Sequence, residues 1–214
     1  FIDANIFLTF YHLSGPDIEE LEKLLALIDT NKVNIYLPAQ LRMEVERNRS
    51  AKIVDAMKEF KNSGVKIKFP VFCKQYPEYE KLKKLTREVS ELHNALYAKS
   101  MDDVSSFALM ADGLIAKLFE KAKLVDTDSA VVKRAHERFR SGNPPGKKKD
   151  TFGDEINWEA LLAGVPDGQD LYFISADSDY SNSLDENQLN DFLLREWEGR
   201  KSSKIRYYRF LQDF

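Results

Sequence analysis

Short runs of β-branched and aromatic residues alternate with stretches of helical period along this chain, and that alternation limits its fold more than any other feature. Phe1-Ile2 runs straight into Asp3, Val33–Leu37 stops at Pro38, Val65–Phe69 follows the break at Ser63-Gly64, and Leu171–Ile174 and Ile205–Tyr208 come late. Each reads as a short strand. Between the first two, residues 17–29 read as a helix, with Asp17 placed to cap it and Leu21, Leu24, Leu25 and Ile28 on one face. A second helix starts at Pro38, which suits a first turn, and runs to about Lys61. Residues 75–140 read as almost wholly helical, and further helices are expected near 154–164 and 185–198. Residues 141–153, rich in Gly, Pro and Lys, read as a loop. Strands separated by helices pair in parallel, because a parallel crossover needs a long connection. The expectation is therefore an α/β fold with a mainly parallel central sheet, as a single domain over residues 1–214 with a helical insertion at about 75–140.

Composition narrows the function. With 214 residues, 43% of them hydrophobic, the chain can bury a sizeable core. The net charge of −3 means that any hold on a polyanion comes from local basic patches. Cys73 is the sole cysteine, which rules out an intrachain disulfide and a cysteine-rich zinc site. No apolar run approaches the roughly 18 residues of a membrane span, so a soluble, cytoplasmic protein with no membrane partner is expected. The chain opens at Phe1 rather than Met, and a preceding segment is expected.

Carboxylates stand where a parallel sheet would gather them. Asp3 follows the first strand, and Asp177 follows the Leu171–Ile174 strand with Asp179 two residues on. Glu44 lies about two turns into the helix after the second strand, and Asp154 opens the helix before the Leu171 strand. Ligands of open parallel sheets bind beyond the carboxyl ends of the strands, so these distant residues are expected to meet at one rim. Crowded carboxylates resist ionisation unless a cation sits between them. Oxygen donors suit Mg²⁺ or Mn²⁺, ions that polarise a phosphodiester and activate water. Singly, each acid has a plainer explanation: a strand-end cap for Asp3, a turn for Asp177 and Asp179, a solvated ion pair for Glu44, a helix cap for Asp154.

Phe1-Ile2-Asp3-Ala4-Asn5-Ile6-Phe7 resembles the hydrophobic-Asp-Thr-Asn opening of the PIN domain superfamily, with Ala4 where threonine is common. Leu37-Pro38-Ala39-Gln40-Leu41-Arg42-Met43-Glu44 resembles its second motif, and Phe173-Ile174-Ser175-Ala176-Asp177-Ser178-Asp179-Tyr180 its last, usually Thr-x-Asp-x-Asp-Phe. Asp154, about two dozen residues before Asp177, matches the third acid in position. The resemblance covers about residues 1–70 and 150–214, and the Gly142–Lys147 loop leading to Gly153-Asp154-Glu155 and Trp158 is similar to a longer bacterial branch. It implies a three-layer αβα sandwich and Mg²⁺- or Mn²⁺-dependent hydrolysis of RNA, with DNA as the lesser alternative. Asp3, Glu44, Asp154 and Asp177 are then the catalytic metal ligands and Asp179 an auxiliary acid. Asn5 and Ser175 orient them, and Glu155 is placed to substitute for Asp154.

Lys147, Lys148 and Lys149, with Arg138 and Arg140 leading into their loop, are the expected nucleic-acid-binding patch beside the acids. Lys201, Lys204, Arg206 and Arg209, interleaved with Tyr207 and Tyr208, offer a second. Gly142 to Gly146 lacks the spacing of a phosphate-binding P-loop. Asp177-Ser178-Asp179 lacks the sixth-position glycine and the twelfth-position glutamate of a calcium loop. A haloacid-dehalogenase-like phosphatase would need an aspartate at Asn5. The leading expectation is an endonuclease. The alternative is a catalytically silent module that binds nucleic acid or a protein, with the charged helices as the interface for a regulatory partner or a second copy.

Overall fold

The computed structural model describes residues 1–146 and 151–214. Its strands are short and parallel. β1 (Tyr36–Pro38) pairs with β2 (Lys123–Val125), and β3 (Leu171–Ile174) with β4 (Ile205–Tyr208). Ile2 bridges in parallel to Ile174, through Asp3 N–H to the Ile174 carbonyl at 2.8 Å and Ile174 N–H to the Phe1 carbonyl at 3.0 Å. The chain thus belongs to the α/β class, rich in helix.

The helices follow their caps. Asp3 caps α1 (Ala4–Thr9) by accepting the Ala4 N–H at 2.7 Å. Asp17 accepts the Glu19 N–H at 3.1 Å ahead of α2 (Glu19–Asp29), whose Leu21, Leu24 and Leu25 are buried. Pro38 precedes α3 (Ala39–Asn62) as its N-cap. α4 (Pro77–Ser105) and α5 (Met110–Lys121) come next. Asp128 caps α6 (Ser129–Ser141) through the Val131 N–H at 2.8 Å, and Gly142 ends it at φ +69°, where glycine carries no side-chain penalty. α7 (Gly153–Gly164) and α8 (Asp191–Lys201) flank β3.

The core is one apolar cluster. Phe173 sits in it with the rings of Phe1, Trp158, Tyr180 and Tyr207 around it, and Trp158 also meets Trp197. Phe7 meets Phe119 edge-on, which ties α1 to α5. A buried ion-pair network lies within this frame. Arg49 holds Asp112 with Nε at 2.7 Å and Nη2 at 2.5 Å, and Tyr11 donates to the same carboxylate at 2.7 Å. Asp112→Ala leaves the buried guanidinium without its counter-ion and the Tyr11 hydroxyl without its acceptor. The expected loss is about 3–5 kcal/mol of unfolding free energy, read from urea denaturation.

Three local expectations differ from the structure. Val65–Phe69 alternates like a strand but forms none; Val65 and Ile67 stand 46% and 44% exposed, since alternation without a neighbouring strand leaves the backbone groups to water. Conversely, β2 lies inside the stretch read as almost wholly helical, where Lys123 N–H reaches the Ile35 carbonyl at 2.7 Å. The last helix begins at Asp191 rather than near 185, because side chains hold the preceding residues in turns. Asn182 Oδ1 takes the Leu184 N–H at 2.8 Å, and Asp185 Oδ1 takes that of Asn187 at 3.0 Å.

Candidate metal centre

Asp3 sits where Ile2 leaves the sheet, is 4% exposed, and uses both carboxylate oxygens locally. Oδ1 accepts the Ala4 N–H at 2.7 Å and Oδ2 the Ser175 hydroxyl at 2.5 Å. Ser175 follows β3 directly, and its hydroxyl oxygen also accepts the Asp177 N–H at 3.1 Å. Asp177 Oδ1 in turn accepts the Asp179 N–H at 2.9 Å. One chain of hydrogen bonds therefore runs from the first strand end to the turn after β3.

Asp154 enters from the first turn of α7. It brings a carboxylate oxygen into a group with Asp177 and Asp179 whose ligand atoms all lie within 4.8 Å of one another. Glu44, on α3, lines a cleft of about 530 Å³ together with Gln40, Arg47, Phe152, Asp154 and Asp179. Gly153 lets α7 approach α3: a Cβ there would stand 3.2 Å from Gln40 Nε2 and 4.0 Å from Glu44 Oε2.

Burial first, and then this crowding, makes two of the acids hard to ionise. Burial, reinforced by Asp154 and Glu44 and opposed by the Ser175 and Ala4 hydrogen bonds, pushes the Asp3 carboxyl up to about 8. Burial, then the charges of Asp177, Glu44, Asp179 and Glu155, raises Asp154 to about 7. Among the described residues, Asp3, Asp154 and Asp177 take part in no ion pair. Oxygen donors, close spacing and carboxyls that resist ionisation together form a site suited to a hard divalent cation.

The other expected site residues are distributed unevenly. Ser175 touches Asp3 as described, whereas Asn5 lies on α1 with its Oδ1 lacking a hydrogen-bond partner among the described residues. Glu155 is 2% exposed and packs against Gly146, where a Cβ would fall 2.1 Å from its Oε1. Asp154, not Glu155, joins Asp177 and Asp179. Arg138 differs most from expectation. It is 6% exposed, and Glu159 (2.7 Å), Glu196 (2.6 Å) and the Pro144 carbonyl (2.7 Å) occupy its guanidinium, so no face is left for phosphate. It anchors the loop instead. Arg140 is exposed on α6, and Lys147, Lys148 and Lys149 lie outside the described residues. In the C-terminal patch, Lys201 is buried against the Val165 carbonyl and Asp167, and Arg209 pairs with Glu186.

Sequence reading missed two groups here. Tyr180 is fully buried, and its hydroxyl lies 3.3 Å from both the carbonyl and Oδ1 of Asp154; burial, with Asp154 the nearest charge, holds its pKa well above the usual tyrosine value. A tyrosine where phenylalanine is usual was the available signal. Arg47, one helical turn beyond Glu44, lines the cleft without an ion-pair partner among the described residues.

The fold and these residues define an α/β protein with an acidic cluster at the carboxyl ends of parallel strands. A family model described as a PIN domain matches residues 1–180, and the chain belongs to that family. No curated protein and no solved structure matches it. The PIN domain carries with it a nuclease-like fold, often metal-dependent.

Proposed function

We propose that this protein is an endonuclease that hydrolyses phosphodiester bonds of RNA, with DNA as the lesser substrate, using Mg²⁺ or Mn²⁺. The observation that carries the reading is the meeting of Asp154, Asp177 and Asp179 within 4.8 Å beside the buried Asp3. In this reading, residues 1–214 are one PIN-like domain, a three-layer αβα sandwich whose helical insertion includes α4, and it works in the cytoplasm.

Asp3, Glu44, Asp154 and Asp177 would hold the ion, with Asp179 as the auxiliary acid. When bound, the ion supplies positive charge to the scissile phosphate and lowers the pKa of the attacking water. The chain's own part is positional. Ser175 and the Ala4 N–H fix the Asp3 carboxylate, the Asp179 N–H fixes Asp177, and the Tyr180 hydroxyl lies against Asp154. Such fixed partners set ligand direction and basicity.

Substrate contact falls to Arg47 and Phe152 in the same cleft, with Arg140 and the Lys147–Lys149 run as further phosphate contacts. Phe152 lies with His136 at 5.6 Å and Phe139 at 6.0 Å between ring centres, an aromatic ledge on which an unpaired base can stack. Arg47→Ala is expected to raise KM with kcat little changed. It should also reduce the slope of log affinity against log salt by about 0.7 if one single-strand phosphate contact is lost. A salt series on labelled single-stranded RNA measures both.

The reading as a whole is tested by incubating the protein with labelled single-stranded RNA, single-stranded DNA and duplex DNA in Mn²⁺, Mg²⁺ or EDTA. Cutting that needs the metal and favours RNA is the expected result. Binding without cutting of any substrate would contradict it.

A further inference from the structure

The long helix α4 carries its most apolar face where the protein leaves it open. Leu82, Leu85, Val89, Leu92 and Leu96 are 44%, 46%, 44%, 72% and 55% exposed, and no residue of α4 is fully buried. The face turned to α3 is a different and more polar one. Tyr79, Thr86, Ser90, His93, Tyr97, Ser100, Met101 and Val104 are the half-buried residues of α4; His93 Nε2 lies 2.9 Å from the Phe60 carbonyl, and Lys61 sits 5.4 Å over the Tyr97 ring. A helix that existed only to cover α3 would turn its leucines inward.

The spacing of the open stripe indicates what covers it. Its steps of three, four, three and four residues form a heptad pattern, the repeat that meets another helix along a seam. Charge indicates which helix. Lys81 and Asp102 stand beyond the two ends of the stripe at the same heptad position, Lys81 just before Leu82 and Asp102 just before Asp103, and both are exposed. Neither has an ion-pair partner among the described residues, whereas Lys84–Glu88 and Arg87–Glu91 are satisfied within α4. Paired with itself in antiparallel fashion, α4 sets Leu85 against the partner's Leu96 and Val89 against the partner's Leu92. The same register brings Lys81 beside the partner's Asp102, twice by symmetry. A parallel pairing would instead place Lys81 beside the partner's Thr86, with no opposite charge. Antiparallel helices also oppose their dipoles favourably.

We infer that two copies of this protein associate through an antiparallel α4–α4 seam, centred between Val89 and Leu92 and closed at both ends by Lys81–Asp102 pairs. This inference is independent of the nuclease reading.

Sedimentation velocity on the whole chain, across a series from low micromolar to the solubility limit, tests it. The wild type is expected to pass from monomer to dimer. Leu92→Glu is expected to stay monomeric with unchanged thermal stability, because Leu92 is largely exposed in the monomer. Lys81→Glu and Asp102→Lys should each raise the dissociation constant by about three- to tenfold, in keeping with exposed ion pairs, and the double exchange should restore it. A wild type that stays monomeric throughout would overturn the inference. So would a dimer that survives Leu92→Glu, or a double exchange that binds no tighter than the single variants.

Discussion

Asp3→Asn is expected to lower the single-turnover rate of RNA cleavage by more than about a hundredfold while the fold persists. Residues that merely orient a metal ligand already cost about 10–100-fold when removed, so loss of a proposed ligand charge should cost more. Ser175→Ala, which removes the hydroxyl from Asp3 Oδ2, falls in the milder range. The fold should survive because asparagine keeps a side-chain oxygen for the Ala4 N–H and remains a good helix cap. It also relieves the protein of a carboxyl whose pKa burial drives up to about 8. Cleavage and thermal unfolding measured on the same sample separate loss of chemistry from loss of structure. Undiminished cleavage by a folded Asp3→Asn protein would remove Asp3 from the site.

The second large effect is on stability. Asp3 and Asp154 have folded-state pKa values raised from 3.8 to about 8 and about 7. An acid raised in this way binds its proton more tightly in the folded state than in the unfolded one. Its contribution is fully present below about pH 4 and is lost as pH rises through about 7 to 8. The metal-free protein should therefore lose stability between about pH 4 and pH 8, and Asp3→Asn should flatten part of that slope. A divalent cation replaces the protons, so the alkaline side is where it stabilises most. At a free concentration a hundred times its dissociation constant, Mn²⁺ should add about 2.7 kcal/mol. For a chain of this length that corresponds to a rise in Tm of roughly 5–10 °C. Thermal scans at both ends of the pH range, with Mn²⁺ or EDTA, report it. Equal Tm values in Mn²⁺ and EDTA at alkaline pH would oppose a cation site built on these carboxyls.

Where a signal was local, the sequence already showed the structure. β3 and β4 lie at Leu171–Ile174 and Ile205–Tyr208 as their apolar runs imply, and Pro38 marks the junction of β1 and α3. Asp154, Asp177 and Asp179, which the structure brings together, stood out for the same reason: each lies just past a strand or at a helix start, positions that need no knowledge of distant partners. What needed distant partners was hidden. β2 is three residues at the end of a strongly helical segment, and only its ladder to β1 makes it a strand. Arg138 belongs to a charged helical run that looks solvated, and nothing local announces that Glu159 and Glu196 meet it inside the protein. The α4 stripe reads from spacing alone as a face to be buried, and the structure leaves it exposed because α3 packs against a neighbouring face.

The most direct measurement is Mn²⁺ binding followed by electron paramagnetic resonance, in which free Mn²⁺ gives a signal that binding quenches. Titrating the wild-type protein into Mn²⁺ at mildly alkaline pH should remove the free signal, and folded Asp3→Asn and Asp154→Asn proteins should leave much more of it. A wild type that leaves the free signal intact, or variants that quench it as well as the wild type does, would contradict a metal centre formed by these acids.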